Sequence, residues 1–160
     1  MNLPDFVQIE PVGQCNLRCR MCPIQFRTDG ARGEPPAFMR YADFCRIIDQ
    51  FPDVTELHLQ GLGEPLMHLH LFDMVRYAVA RGIRVSINTN LTILSESRAE
   101  ACVESGLHTI HVSIDGASAA VFEAIRVRAR FDKVLRNVRR LMHAKAQLQS
   151  ELTHIRLVCV

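Results

Sequence analysis

The spacing of apolar residues along the chain switches repeatedly between the period of a strand and that of a helix. FVQIE, residues 6 to 10, predicts a strand, and YADFCRIIDQF, residues 41 to 51, puts Phe44, Ile47, Ile48 and Phe51 on one helical face. VTELHLQG (54 to 61) predicts a second strand and LFDMVRYAVARG (71 to 82) a helix closed by Gly82. IRVSINT (83 to 89) follows as a third strand, ESRAEACVESG (96 to 106) as a helix ending at Gly106, and HTIHVSID (108 to 115) as a fourth strand. A last helix carries Phe131, Val134, Leu135, Val138, Leu141 and Met142 on a broad apolar stripe, before the apolar strand THIRLVCV. Alternating strands and helices of this kind predict an α/β fold with a parallel sheet and crossover helices.

Within the strands the side chains divide between two faces. Leu57, Leu59, Val85, Ile87, Ile110, Val112 and Ile114 form an apolar row; Gln8, Glu10, His58, Gln60, Ser86, Asn88, Asn90, His111, Ser113 and Asp115 form a polar one. A doubly wound sheet buries both faces under helices, and a closed TIM barrel fills its interior with Val, Ile and Leu. A polar row repeated in four strands fits neither. The expectation is a partial (β/α) barrel with helices only outside and an inner wall facing a polar ligand. Five strands, the last with no helix after it, leave a hydrogen-bonding edge uncovered. Residues 1 to 160 are therefore expected to be one domain, the front part of a longer protein cut after its fifth strand.

Composition agrees with a single folded domain: 160 residues, 48% hydrophobic. The formal net charge of +2, from 19 basic and 17 acidic residues without a basic block, offers nothing to nucleic acid. No apolar run approaches the roughly 20 residues that span a bilayer, and MNLPDFVQIE lacks the pattern of a secretory signal, so a cytoplasmic location is expected. Cys45, Cys102 and Cys159 stand singly in apolar patterns and are expected to pack as small hydrophobes.

The other three cysteines stand together. Cys15, Cys19 and Cys22 are separated by three and then two residues, on the loop after the first strand, where βα folds place their active sites. In a reducing cytosol such crowding indicates metal or redox chemistry rather than structural disulfides. The spacing favours an iron–sulfur cluster, held by three thiolates with one iron open, over zinc, whose paired-knuckle spacing is missing; a peroxide sensor and a disulfide pair are alternatives.

CNLRCRMC after a strand resembles the cluster motif of the radical S-adenosylmethionine (SAM) enzymes. GLGEPL (61 to 66) resembles that family's Gly-Gly-Glu-Pro segment, NTN (88 to 90) its Thr-Asn-Gly turn, and VSIDG (112 to 116) and FEAIR the stretches that follow. The match runs from about residue 6 to the end and is most like the branch with an additional C-terminal (SPASM-type) cluster domain. The resemblance implies that Cys15, Cys19 and Cys22 hold a [4Fe-4S] cluster whose fourth iron binds SAM. Reductive cleavage of SAM would then give a 5′-deoxyadenosyl radical for hydrogen abstraction from a peptide, protein or small molecule. It further implies that Gly63 and Glu64 hold the SAM ammonium group, that Ser113 bonds its ribose, and that Asn88 and Thr89 stand near adenosine or substrate. Arg126 would lie near the SAM carboxylate, and a reduced flavodoxin or ferredoxin-type protein would supply the electron. Leu62 and Leu91 replace glycines usual in the family, and Met21 stands where an aromatic is common. A non-catalytic iron–sulfur, metal-binding or electron-transfer module, or an inactive fragment, is the alternative reading.

Overall fold

The structure is a computed structural model that describes residues 4–26, 37–150 and 153–159. Its centre is one five-stranded sheet: β1 (Phe6–Ile9), β2 (Glu56–Leu59), β3 (Arg84–Thr89), β4 (Thr109–Ser113) and β5 (His154–Val158). The strands are all parallel and lie in chain order. Between them run α1 (Tyr41–Ile48), α2 (Leu71–Val79), α3 (Glu96–Glu104), α4 (Ala119–Ile125) and α5 (Phe131–Gln147). Among the described residues no helix is long and apolar enough to cross a membrane.

The two faces of the sheet separate as their alternation predicts. Leu57, Leu59, Val85, Ile87, Ile110 and Val112 are wholly buried and pack with Phe44 and Ile48 of α1, Met74 and Val75 of α2, Cys102 of α3 and Leu141 of α5. The opposite face, with His58, Ser86, Asn88, His111 and Ser113, is only half-buried. Among the described residues, helices thus cover one face, and the polar wall is left half-buried. The α/β partial-barrel expectation holds because the alternation leaves only one face able to repay burial.

Two local details depart from the expectations. The short α4 was not foreseen; its start is capped by Ser118, whose Oγ accepts from Val121 N at 3.4 Å. Cys159 is exposed just past the end of β5 rather than packed in the core, its Sγ donating to Ile114 O at 2.6 Å, whereas Cys102 is fully buried and Cys45 half-buried. Val160, the last residue of the fifth predicted strand, lies outside the described residues. The helices α2 and α3 end where foreseen: Gly82 and Gly106 both take a φ of +79°, the left-handed conformation that glycine adopts without penalty.

Candidate active site

All nine residues singled out from the sequence line one cleft of about 270 Å³ at the C-terminal ends of the strands: Cys15, Cys19, Cys22, Gly63, Glu64, Asn88, Thr89, Ser113 and Arg126. They come from the loop after β1, the turn after β2, the end of β3, the end of β4 and the end of α4. The remaining lining includes Met21, Leu62 and Asn90, and Met21 and Leu62 are exposed apolar residues at its surface.

The cysteine loop is anchored on three sides. Gln14 O accepts from Glu64 N at 2.8 Å, tying it to the turn after β2. Asn16 Nδ2 donates to Thr92 Oγ1 at 2.8 Å and Asn16 Oδ1 accepts from Asn90 Nδ2 at 3.0 Å, tying it to the turn after β3. Arg18 N and Arg20 N donate to Val127 O and Ile125 O at 3.1 and 3.0 Å, tying it to the end of α4. The loop has little regular structure of its own, so these bonds from three other segments set where its thiols stand.

Gly63 is the closest contact in the site. A Cβ built there would lie 1.8 Å from Val12 O and 2.8 Å from Gln14 O, so only glycine lets the turn after β2 reach the cysteine loop. The same turn is held from below by Glu10, whose Oε1 accepts from Leu62 N and Gly63 N at 2.6 and 3.0 Å. Glu10 was placed on the polar face from its alternation, but its part in shaping this turn was not foreseen; a carboxylate one residue beyond a strand end, opposite a Gly-rich turn, is the only sequence signal for it.

Glu64 is almost completely buried. Its Oε1 accepts from Thr89 Oγ1 (2.5 Å) and Leu66 N (3.0 Å), and its Oε2 from Asn90 N (2.7 Å). Burial pushes its carboxyl above the usual carboxylate range, and these three donors pull the other way. The side chain thereby clamps the turn after β2 to the end of β3. Asn88 and Thr89 diverge: Asn88 stands on the half-buried polar face with Ser113, while Thr89 is buried and spends its hydroxyl on Glu64.

Leu91 keeps the left-handed backbone of a glycine, with φ of 54°, and is fully buried. Leu91 N donates to Thr89 Oγ1 at 2.9 Å, and Leu91 O accepts from Asn137 Nδ2 of α5 at 2.7 Å. A buried leucine and two hydrogen bonds therefore hold the strained turn that glycine would adopt freely.

Two of the three sulfurs face N–H groups. Cys15 Sγ faces Asn90 Nδ2 at 3.6 Å and Leu17 N at 3.4 Å, and Cys19 Sγ faces Arg126 Nη1 at 3.8 Å. Burial raises both thiols above their ordinary pKa, and the Arg126 charge opposes this at Cys19. Arg126 is itself buried, its Nη2 paired with Asp115 Oδ2 at 2.6 Å, and its Nε has no partner among the described residues. Three free thiols with donors aimed at two of them, and a buried guanidinium nitrogen still lacking an acceptor, fit a thiolate-bound cluster with an anionic ligand beside it. Among the described residues no three of His, Cys, Asp and Glu converge on one point that would take a single metal ion.

A sequence model described as the Radical SAM superfamily matches residues 9–153. The chain is 34% identical over 113 residues to the tungsten-containing aldehyde ferredoxin oxidoreductase cofactor-modifying protein of Pyrococcus furiosus, covering 69% of this chain and 30% of that protein. It is 29% identical over 146 residues to the AdoMet-dependent heme synthase of Oleidesulfovibrio alaskensis, covering 90% and 37%. The fold is that of Streptococcus suis SuiB, solved bound to S-adenosylmethionine, with a TM-score of 0.75 at 20% identity over 96% of this chain and 34% of that one. The chain thus spans about a third of the length of these relatives, at 30 and 37% of the two curated proteins.

Proposed function

Because this chain belongs to the radical SAM superfamily, we propose that its cleft holds a [4Fe-4S] cluster on Cys15, Cys19 and Cys22 and binds SAM against the cluster's open iron. The observation that carries this reading is the convergence in one cleft of nine residues from five separate segments. A cluster held on these three thiolates would supply the electron for reductive cleavage of SAM into methionine and a 5′-deoxyadenosyl radical, the hydrogen-abstracting species.

The chain's own residues bind and orient. Three cysteines leave one iron without a protein ligand, which a fourth would close. The backbone carbonyl of Gly63 and the Glu64 carboxylate, whose Oε2 accepts one bond against two at Oε1, receive the SAM ammonium group, and Ser113 takes the ribose. Asn88 lies on the same wall as Ser113 and meets adenosine or substrate, while Thr89 acts through Glu64 by holding its carboxylate in place. Arg126 offers its unpartnered Nε to the SAM carboxylate and its Nη1 to Cys19. Met21 and Leu62, apolar and partly exposed, cover the site against water.

Residues 1 to 160 act as a single core domain in this reading. Its substrate is a peptide, protein or small molecule, and its electron comes from a reduced flavodoxin or ferredoxin-type donor. Three free thiols need a reducing compartment, which favours the cytoplasm.

The test is anaerobic reconstitution with iron and sulfide, reduction, and EPR spectroscopy with and without SAM. A [4Fe-4S] signal that changes when SAM is added supports the assignment. A cluster whose signal ignores SAM refutes the open-iron site and favours an electron-transfer module.

A further inference from the structure

Below the cleft, the polar wall of the sheet carries a group of positive and protonatable side chains that the cofactor reading does not use. The His58 and His111 ring centroids are 6.1 Å apart. Arg156 of β5 is the register partner of His111, so both side chains leave the same face. His58 has a fixed orientation: its Nδ1 meets Ser86 Oγ at 2.7 Å and its Nε2 meets Gln60 Oε1. Among the described residues neither the His111 ring nor the Arg156 guanidinium has a hydrogen-bond or ion-pair partner.

The nearby carboxylates are engaged elsewhere. Glu10 holds Leu62 N and Gly63 N, Asp115 pairs with Arg126, and Glu56 pairs with Arg84. Burial, with the positive fields of His58 and Arg156, lowers the His111 pKa. The group also adjoins the cleft. Gln60 and Ser113 line it, and Ser113 is two residues beyond His111, about 7 Å along the strand.

We propose that His58, His111 and Arg156 form an oxyanion subsite on the inner wall, which takes a carboxylate or phosphate group of the substrate and presents the neighbouring carbon to the cleft. The subsite gives the substrate of the radical reading a chemical class and rests on that reading for its role. An arginine offers a planar fork of donors to such an anion, and a neutral or protonated histidine adds a further N–H. His58, already held by Ser86 and Gln60, fixes the far side of the group against which the anion seats.

The experiment uses the full chain without cluster or SAM, following the histidine ring nitrogens by 1H–15N NMR. Inorganic phosphate and acetate are titrated separately at constant ionic strength set with chloride. The proposal expects saturable shifts at His111 and His58 with at least one probe. It expects a midpoint at least tenfold weaker in Arg156→Met and largely recovered in Arg156→Lys. Saturation with phosphate alone assigns a phosphorylated substrate, and saturation with acetate alone a carboxylate. Linear, non-saturating shifts with both probes overturn the subsite, as does an unchanged midpoint in Arg156→Met with folded spectra. Neither cluster nor SAM takes part, so failure here leaves the EPR test standing, and failure there leaves the anion isotherm interpretable.

Discussion

Arg126 joins Cys19 to Asp115: its Nη1 lies 3.8 Å from the thiol and its Nη2 2.6 Å from the carboxylate, with the Asp115 side chain 1% and the Arg126 side chain 10% exposed. The guanidinium therefore serves the cluster loop and balances a buried negative charge at once. Removing it takes this ion pair from a buried carboxylate. Arg126→Met is expected to cost about 3–5 kcal/mol in urea denaturation, while Arg126→Met with Asp115→Leu costs markedly less because both members of the buried pair are then replaced by apolar groups. Equal losses in the single and double variants would mean that the pair does not carry this stability.

Cys15, Cys19 and Cys22 share one cleft, whereas Cys45 lies on α1 outside it. Alanine at any of the three is expected to reduce iron and sulfide content after reconstitution to background. Cys45→Ala is expected to load like the wild type. Iron and sulfide analysis of the four variants, with circular dichroism to check folding, decides this.

Two glycines separate collision from backbone strain. At Gly63 a methyl group would meet backbone oxygen at 1.8 Å, and backbone cannot swing away as a side chain does; at Gly82 nothing lies within 4 Å, but φ is +79°. Gly63→Ala is expected to destabilise by about 3 kcal/mol, at the upper end for overpacking, and to abolish SAM binding. Gly82→Ala is expected to cost only about 1–2 kcal/mol and to leave SAM binding intact. Thermal denaturation and SAM titration of the reconstituted variants distinguish the two effects.

His68 is buried, with Nε2 against Met39 O at 2.8 Å and Nδ1 accepting from His70 N at 3.0 Å. Burial lowers its pKa, and His70 and Arg98 lower it further. The unfolded chain then takes up a proton near pH 6.5 that the folded chain takes up only at lower pH. Stability from this group is complete above about pH 6.5 and is lost as pH falls below it. His111, also lowered, acts in the same direction. The urea midpoint should fall between pH 7.5 and pH 5.5, and His68→Gln should flatten that slope.

The alternation of polar and apolar residues along β2, β3 and β4 was enough to assign the parallel α/β sheet and its open polar wall, since a strand's two faces follow from its local geometry. The crowding of the cysteines was legible for a similar reason, since a loop of fixed length must keep its thiols within a limited reach, whereas the GEP turn was read from the family resemblance. The boundaries of α2 and α3 were legible in Gly82 and Gly106, because only glycine enters the left-handed region freely.

What the sequence could not decide depends on residues distant in the chain. Asn137 and Leu91 are 46 positions apart, yet Asn137 Nδ2 secures the turn that a missing glycine had left in question. Glu10 shapes the turn at Gly63 across 53 positions, and Arg126 reaches Cys19 across 107. Periodicity and spacing report how a segment prefers to fold and which side it can bury. Which buried hydrogen bond satisfies which turn is settled only when the strands have brought those segments together, because an unpaired polar group in the interior costs free energy that only a particular neighbour can offset.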